Sequence, residues 1–451
     1  MQKVTTIFHR IHNLTKHLLT KYSSFDGRWL VGFSLIAYFA LLWLANWKLM
    51  PYFKFWKKLG VPAVDLLFLD TNIVLSGFEC TRKGYDVLLE NPCHPGTGRD
   101  TGIIYPRIWW KLTGLGLDQS DAIILGILFA LIFYGITLFL MGKLNIYEGI
   151  IYALIMCSPT VMFAIERGNP DIHIYILHFI ALMMAQSHKL WLRIIGYVSL
   201  LIPIFLKILS FFSLAIILKE KKNTFIFWFL SLVMTSLIYV YSIKDEISVS
   251  QKGLPLRMQY SFYYKILLTK LTSVFNPEKI FSNKFNLILI FLLIIGLVIL
   301  IGIIVKVSIG IFNDIKYNLL LEQSTIPNDN HVYNSLLLDS FRMGSSFYLG
   351  TFLVTTSWDY KLIFLLFTFP QIIAWIKENH QLSLSSTFAL LGIISTFYLS
   401  SFQYRWLIDE VINWSIWFYF LYAFVLTLPK WIKILPNNLF SKGFLKKNIS
   451  V

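Results

Sequence analysis

Apolar runs long enough to cross a bilayer recur along the whole chain, punctuated by short polar turns. They fall near 29–48, 121–141, 147–165, 172–186, 190–206, 208–218, 223–242, 286–312, 344–357, 361–376, 386–402 and 411–429. Together they predict an all-α polytopic membrane protein of about 12 transmembrane helices, one integral membrane domain over residues 1–451. Three longer polar stretches interrupt the pattern, at 49–120, 243–285 and 313–343. The runs 190–206 and 208–218 are too short for two full crossings at ~1.5 Å of rise per residue. Their junction, Pro203-Ile204-Phe205-Leu206-Lys207, is therefore expected to stop at membrane level, where a Lys is tolerated only beside a polar cavity.

Composition agrees with the pattern. The chain is 56% hydrophobic and 14% charged, where an average globular domain is roughly 25% charged. A soluble globule is excluded on that ground. The first apolar run follows a mixed basic segment and lacks a small-residue cleavage site, which reads as a retained span. Basic inner turns (Lys189 and Arg193; Lys219, Lys221 and Lys222; Lys430 and Lys433) orient the spans by the positive-inside rule, with both termini cytoplasmic. The net charge of +16 is then topology and contact with membrane lipids, and it is not read as nucleic-acid binding.

Polar chemistry concentrates on the other face. Glu166-Arg167-Gly168-Asn169-Pro170-Asp171 lies between two apolar runs as the tip of a hairpin. Charged groups at the edge of hydrocarbon are costly, and they mark a candidate site shared with Lys207. Two further tips carry Asp359 and Lys361, and Arg405, Asp409 and Glu410. The long first outer loop, 49–120, opens with Pro51–Lys58, where aromatics interleave with Lys in the manner of an interfacial helix. Asp65 and Asp70 follow at the end of an apolar stretch, then Asn91–Pro95 and Tyr105-Pro106-Arg107. Gly and Pro are frequent there, which predicts order from turns and docking rather than long helices.

Of three cysteines, Cys157 lies in a span and reads as a core residue. Cys80 and Cys93 share the outer loop, where an oxidising face favours a disulfide, although spacing alone does not fix pairing. With His94 they do not make a zinc-type ligand set, so no metal is assigned. His173 and His178 read as core histidines and receive no role.

The long first loop with an acid near its start, Tyr105-Pro106 before the second span, the polar tip at Glu166–Asp171 and Lys207 at the short hairpin carry a resemblance. The layout resembles the GT-C superfamily, in particular the polyprenol-phosphate-dependent family that includes mycobacterial phosphatidylinositol-mannoside mannosyltransferases. Asn91–Pro95, Tyr105–Trp109 and Gly350–Leu365 add to it. The tip departs from the family pattern: relatives carry Gly-Gln or a similar polar pair where this chain has Glu-Arg-Gly-Asn.

The resemblance implies an inverting glycosyltransferase of a bacterial inner membrane, moving a sugar from a polyprenyl-phosphate donor to a lipid or glycan acceptor on the outer face. It implies no cofactor beyond the lipid-phosphate substrate and leaves divalent metal dependence open. Asp70 matches the family's base; an N-cap is the plain alternative, and the two can coexist. A leaving lipid phosphate calls for cations, here Lys207 and Arg167, with Lys361 and Arg405 behind them. Arg167 reads equally as a structural clamp on Glu166, Asp171 or another acid of the tips. Asn169 and Asp171 suit sugar hydroxyls. Tyr105 and Trp109 suit a sugar face or an ordinary aromatic belt, with Arg107 beside them. Asp359 or Asp409 with Glu166 would suit a cation. Two other readings are a lipid-linked oligosaccharide flippase, which calls for internal repeat symmetry, and a polysaccharide polymerase, whose large loop lies late in the chain.

Overall fold

The computed structural model describes residues 2–21, 25–94, 105–252, 261–262, 335–354, 357–378, 380–399, 406–429 and 431–432. The chain divides into two compact units, Met1–Phe262 with Ser335–Val451, and Tyr263–Asn334. The expected span at 286–312, Arg405, and most of the stretches at 243–285 and 313–343 lie outside the described residues.

The first unit is helical. In chain order its described α-helices begin with α1 Gln2–Thr20, α2 Arg28–Lys48, α3 Tyr52–Lys58 and α4 Leu69–Arg82. Next come α5 Ala122–Met141, α6 Ile146–Met156, α7 Pro159–Arg167 and α8 Pro170–Ala185. Then follow α9 Leu190–Ser199, α10 Leu201–Leu206, α11 Lys222–Ser242 and α12 Lys244–Lys252. The last are α13 Ser335–Val354, α14 Phe369–Lys377, α15 Ser383–Leu399 and α16 Trp406–Leu426. Long 3-10 helices cover Arg107–Leu115, Ile208–Lys219 and Asp359–Phe367. Among the described residues β structure is confined to one antiparallel pair of two-residue strands, β1 Ser261–Phe262 and β2 Ser357–Trp358.

Three helices, Arg28–Lys48, Gln119–Met141 and Lys222–Ser242, are single, long and apolar enough to cross a membrane. Two further apolar segments are bent, by 51° at Cys157–Ser158 and by 50° at Thr368, so among the described residues three helices, or five if each bent pair is one span, are long and apolar enough to cross a membrane. The first bend has a local cause. Ser158 caps α7 through Val161, and Pro159 stands at its first position, where its missing N–H is not needed. Pro170–Ala185, Leu190–Leu206, Ile208–Lys219 and Ser383–Leu399 are apolar but shorter than a full crossing. Trp29, Phe33, Ile36, Trp43 and Trp47 lie exposed on α2, as a lipid-facing helix requires.

Two helices start earlier than their apolar runs. Helix α13 takes in Asp339 and Arg342, buried and paired at 3.0 Å, so the charges neutralise each other inside the helix. Helix α16 takes in Asp409 in its first turn, where the helix dipole favours acids, and Glu410 just after it. The first loop also departs from expectation: α4 is a helix of 14 residues. Its apolar side packs Leu75 and Phe78 against Trp109 and Trp110, and Cys80 forms a disulfide with Cys93.

Candidate functional site

The tip at Glu166–Asp171 is a helix stop followed at once by a helix start. Gly168 ends α7 in the left-handed region at φ 57°, the conformation a C-terminal glycine permits. Asn169 then caps α8, its Oδ1 accepting the Asp171 N–H at 2.9 Å, and Pro170 takes the first helical position. Gly168, Asn169 and Pro170 thus have local structural reasons, which leaves the Glu166, Arg167 and Asp171 side chains to be accounted for.

The first loop docks onto this corner through backbone groups. Val64 N–H donates to Glu166 Oε1 at 2.9 Å, Phe68 N–H donates to the Glu166 carbonyl at 2.9 Å, and Thr71 Oγ1 donates to the Gly168 carbonyl at 2.7 Å. Phe68 itself is left-handed, φ 56° and ψ 43°, among the described residues the one non-glycine with positive φ. Its ring lies where a Cβ on Gly126 would sit, and its Cβ lies 3.1 Å from the one Gly168 would carry. Strain of this kind persists only where the surroundings over-determine it.

The docking delivers Asp70. Phe68 is the N-cap residue, so Asp70 is the second residue of α4 and not its cap. Its Oδ2 accepts from Asn169 Nδ2 at 2.5 Å, and its Oδ1 lies 3.8 Å from Arg167. Arg167 is also 3.6 Å from Glu166 and stands over the Phe163 ring. Lys207, at the junction between α10 and the following 3-10 helix, donates to Asp171 Oδ1 at 2.5 Å. Trp109 fixes that junction from the loop side, its indole N–H donating to the Leu206 carbonyl at 3.0 Å.

Exposure sorts the charges into two layers. The side chains of Asp70, Arg167 and Lys207 are 18%, 19% and 18% exposed, whereas those of Glu166 and Asp171 are fully buried. One carboxylate and two cations therefore reach solvent together, backed by two buried acids. Burial pushes the Asp70 carboxyl above the usual carboxylate range, against the opposing pull of Arg167, Asn169 and Lys207. Burial likewise holds the Tyr105 phenol well above its usual range, reinforced by Asp70, Tyr360 and Asp171, so it stays a donor.

The other expected residues divide. Lys361 is buried within electrostatic reach of Lys207 and Asp171, and Asp359 is buried two residues before it. Arg107 does not join them; more than half exposed, it pairs with Asp86 at 2.6 Å. Asp409 accepts from Thr396 Oγ1 at 2.5 Å. Asp65 is exposed, and its backbone carbonyl accepts from Tyr52, which leaves Asp70 as the acid of the cluster. His178 is buried between Phe347 and Phe364. Among the described residues no three His, Cys, Asp or Glu side chains converge as a metal site.

Tyr360 was not legible as a site residue. It lies within electrostatic reach of both Asp70 and Asp171. It also packs on Phe163 and stacks on Trp358. An aromatic between two charged residues gives no signal of this in the sequence; only the packing of the 3-10 helix Asp359–Phe367 against α7 does.

Comparison with family models, with curated proteins and with solved structures finds no match for this chain.

Proposed function

We propose that the protein is a membrane glycosyltransferase that moves a sugar from a polyprenyl-phosphate carrier to a lipid or glycan acceptor. The observation that carries this reading is the half-open triad of Asp70, Arg167 and Lys207. An acceptor hydroxyl must lose a proton as the glycosidic bond forms, and a carboxylate held partly out of water suits that task. The departing lipid phosphate gains charge, and cations already fixed in place stabilise it without reorganising. Asp70 is the base in this scheme. Lys207 and Arg167 face the phosphate, with Lys361 beneath. Asn169 holds Asp70, and Tyr105 and Tyr360 border the sugar. One carboxylate acting as base with no covalent intermediate gives inversion at the anomeric carbon.

The GT-C-like layout read from the sequence supports the same conclusion. In that arrangement the chain crosses a bacterial inner membrane about 12 times, with cytoplasmic termini and the Asp70 site on the outer face. The apolar helices are compatible with a membrane protein.

The test is transfer from radiolabelled polyprenyl-phosphate sugars to membrane acceptors, using reconstituted wild type beside Asp70→Asn. Transfer by the wild type that the variant loses, with unchanged thermal unfolding, supports the reading. Equal transfer by both removes Asp70 as base.

A further inference from the structure

At the end of the bundle where α1 meets α2, α1 presents three distinct faces. One is docked: the Phe8 ring meets Phe388 edge-on at 4.7 Å, His12 Nδ1 hydrogen-bonds Thr387 Oγ1 at 2.9 Å, and Leu19 is fully buried. Asn145, which caps α6, donates to the Leu19 carbonyl at 2.6 Å, and the Lys21 ammonium lies over the Tyr147 ring. The helix is therefore fixed on the first unit.

The second face is apolar and open. Ile7, Ile11 and Leu14, spaced i, i+4, i+7, are 56%, 36% and 60% exposed, a continuous stripe at helical period. A third face carries Arg10 and Lys16, and Gln2–Thr20 contains no Asp or Glu at all. The start of α2 is pinned by Gly27 N–H, which donates to the Leu144 carbonyl at 2.8 Å. In the chain, α1 immediately precedes this membrane-length helix.

We infer that α1 is an interfacial helix whose occupant is an anionic phospholipid surface, with Ile7, Ile11 and Leu14 in the acyl boundary and Arg10 and Lys16 on headgroup phosphates. An open apolar stripe beside an acid-free basic face has the amphipathic pattern of in-plane membrane helices. The cations give it a preference for anionic over zwitterionic lipid. A second copy of the chain fits less well, because two such faces would bring like charges together. This inference is independent of the proposed transferase activity.

The test uses the full chain with Cys157→Ser, spin-labelled at Leu14→Cys or Asn13→Cys, in nanodiscs. One set is phosphatidylcholine; the other includes phosphatidylglycerol. The expected result in phosphatidylglycerol discs is an oxygen-accessible label at position 14 and a nickel-chelate-accessible label at position 13. That contrast should weaken in phosphatidylcholine and be lost with Arg10→Gln and Lys16→Gln. A label at Ile7→Cys repeats the reading on a second exposed position. Equal nickel access at positions 13 and 14 in phosphatidylglycerol discs overturns the proposal. So does dipolar broadening at position 14 that vanishes on dilution with unlabelled protein, which would assign the stripe to a second copy.

Discussion

Asp70 and Asn169 lie 99 positions apart in sequence, yet the Asn169 amide donates to the Asp70 carboxylate at 2.5 Å while its own oxygen caps α8. One side chain thus starts a helix and positions an acid. These two tasks can be separated. Ser caps as well as Asn but offers no amide donor, so Asn169→Ser should keep the unfolding temperature near wild type and lower transfer. Asn169→Ala should lose the cap as well, at about 1 kcal/mol. Thermal unfolding and transfer measured side by side on both variants decide this.

Asp70 titrates above an ordinary carboxylate, so the acid limb of the transfer rate should lie above about 3.9. Arg167 pulls in the opposite direction, and Arg167→Gln should move that limb to still higher pH. The sign for stability follows from linkage. A folded-state pKa above the unfolded one means the folded chain binds the extra proton, so this group's contribution falls as pH rises between the two values. A pH–rate profile unchanged by Arg167→Gln would detach the guanidinium from the base.

Lys207 is the ion-pair partner of fully buried Asp171. Removing one partner of a buried pair costs about 3–5 kcal/mol, so Lys207→Met should destabilise strongly. Adding Asp171→Asn should restore much of the stability while transfer stays lost, because the cation is still missing. Recovery of transfer in the double variant would show that Lys207 serves the fold alone.

The Phe68 seat depends on two glycines. A Cβ on Gly126 would come within 2.4 Å of the Phe68 ring, and Gly126→Ala should cost about 1–3 kcal/mol through overpacking. Gly168→Ala adds roughly 1–2 kcal/mol for the left-handed conformation, plus a clash with Thr71 Oγ1 at 2.3 Å. Both should reduce transfer by displacing Asp70, and a Gly168→Ala protein with wild-type unfolding temperature would contradict this account.

The sequence by itself determined the helical class, the turn at the Glu166–Asp171 corner and the break in the short apolar hairpin at Lys207. Each rests on a local property: hydrophobic period, a Gly-Asn-Pro stop and start, and two apolar runs too short to cross with a Lys between them. Tertiary structure decided the rest. It bent two apolar segments, one of them at the Ser158 cap and Pro159, and it drew Asp339, Arg342 and Asp409 into helices because pairing or a helix dipole offset their charge. It sent Arg107 to Asp86, and it brought Tyr360 and strained Phe68 to the site. A side chain's partner across the fold depends on long-range docking, and that information is absent from any local window of residues.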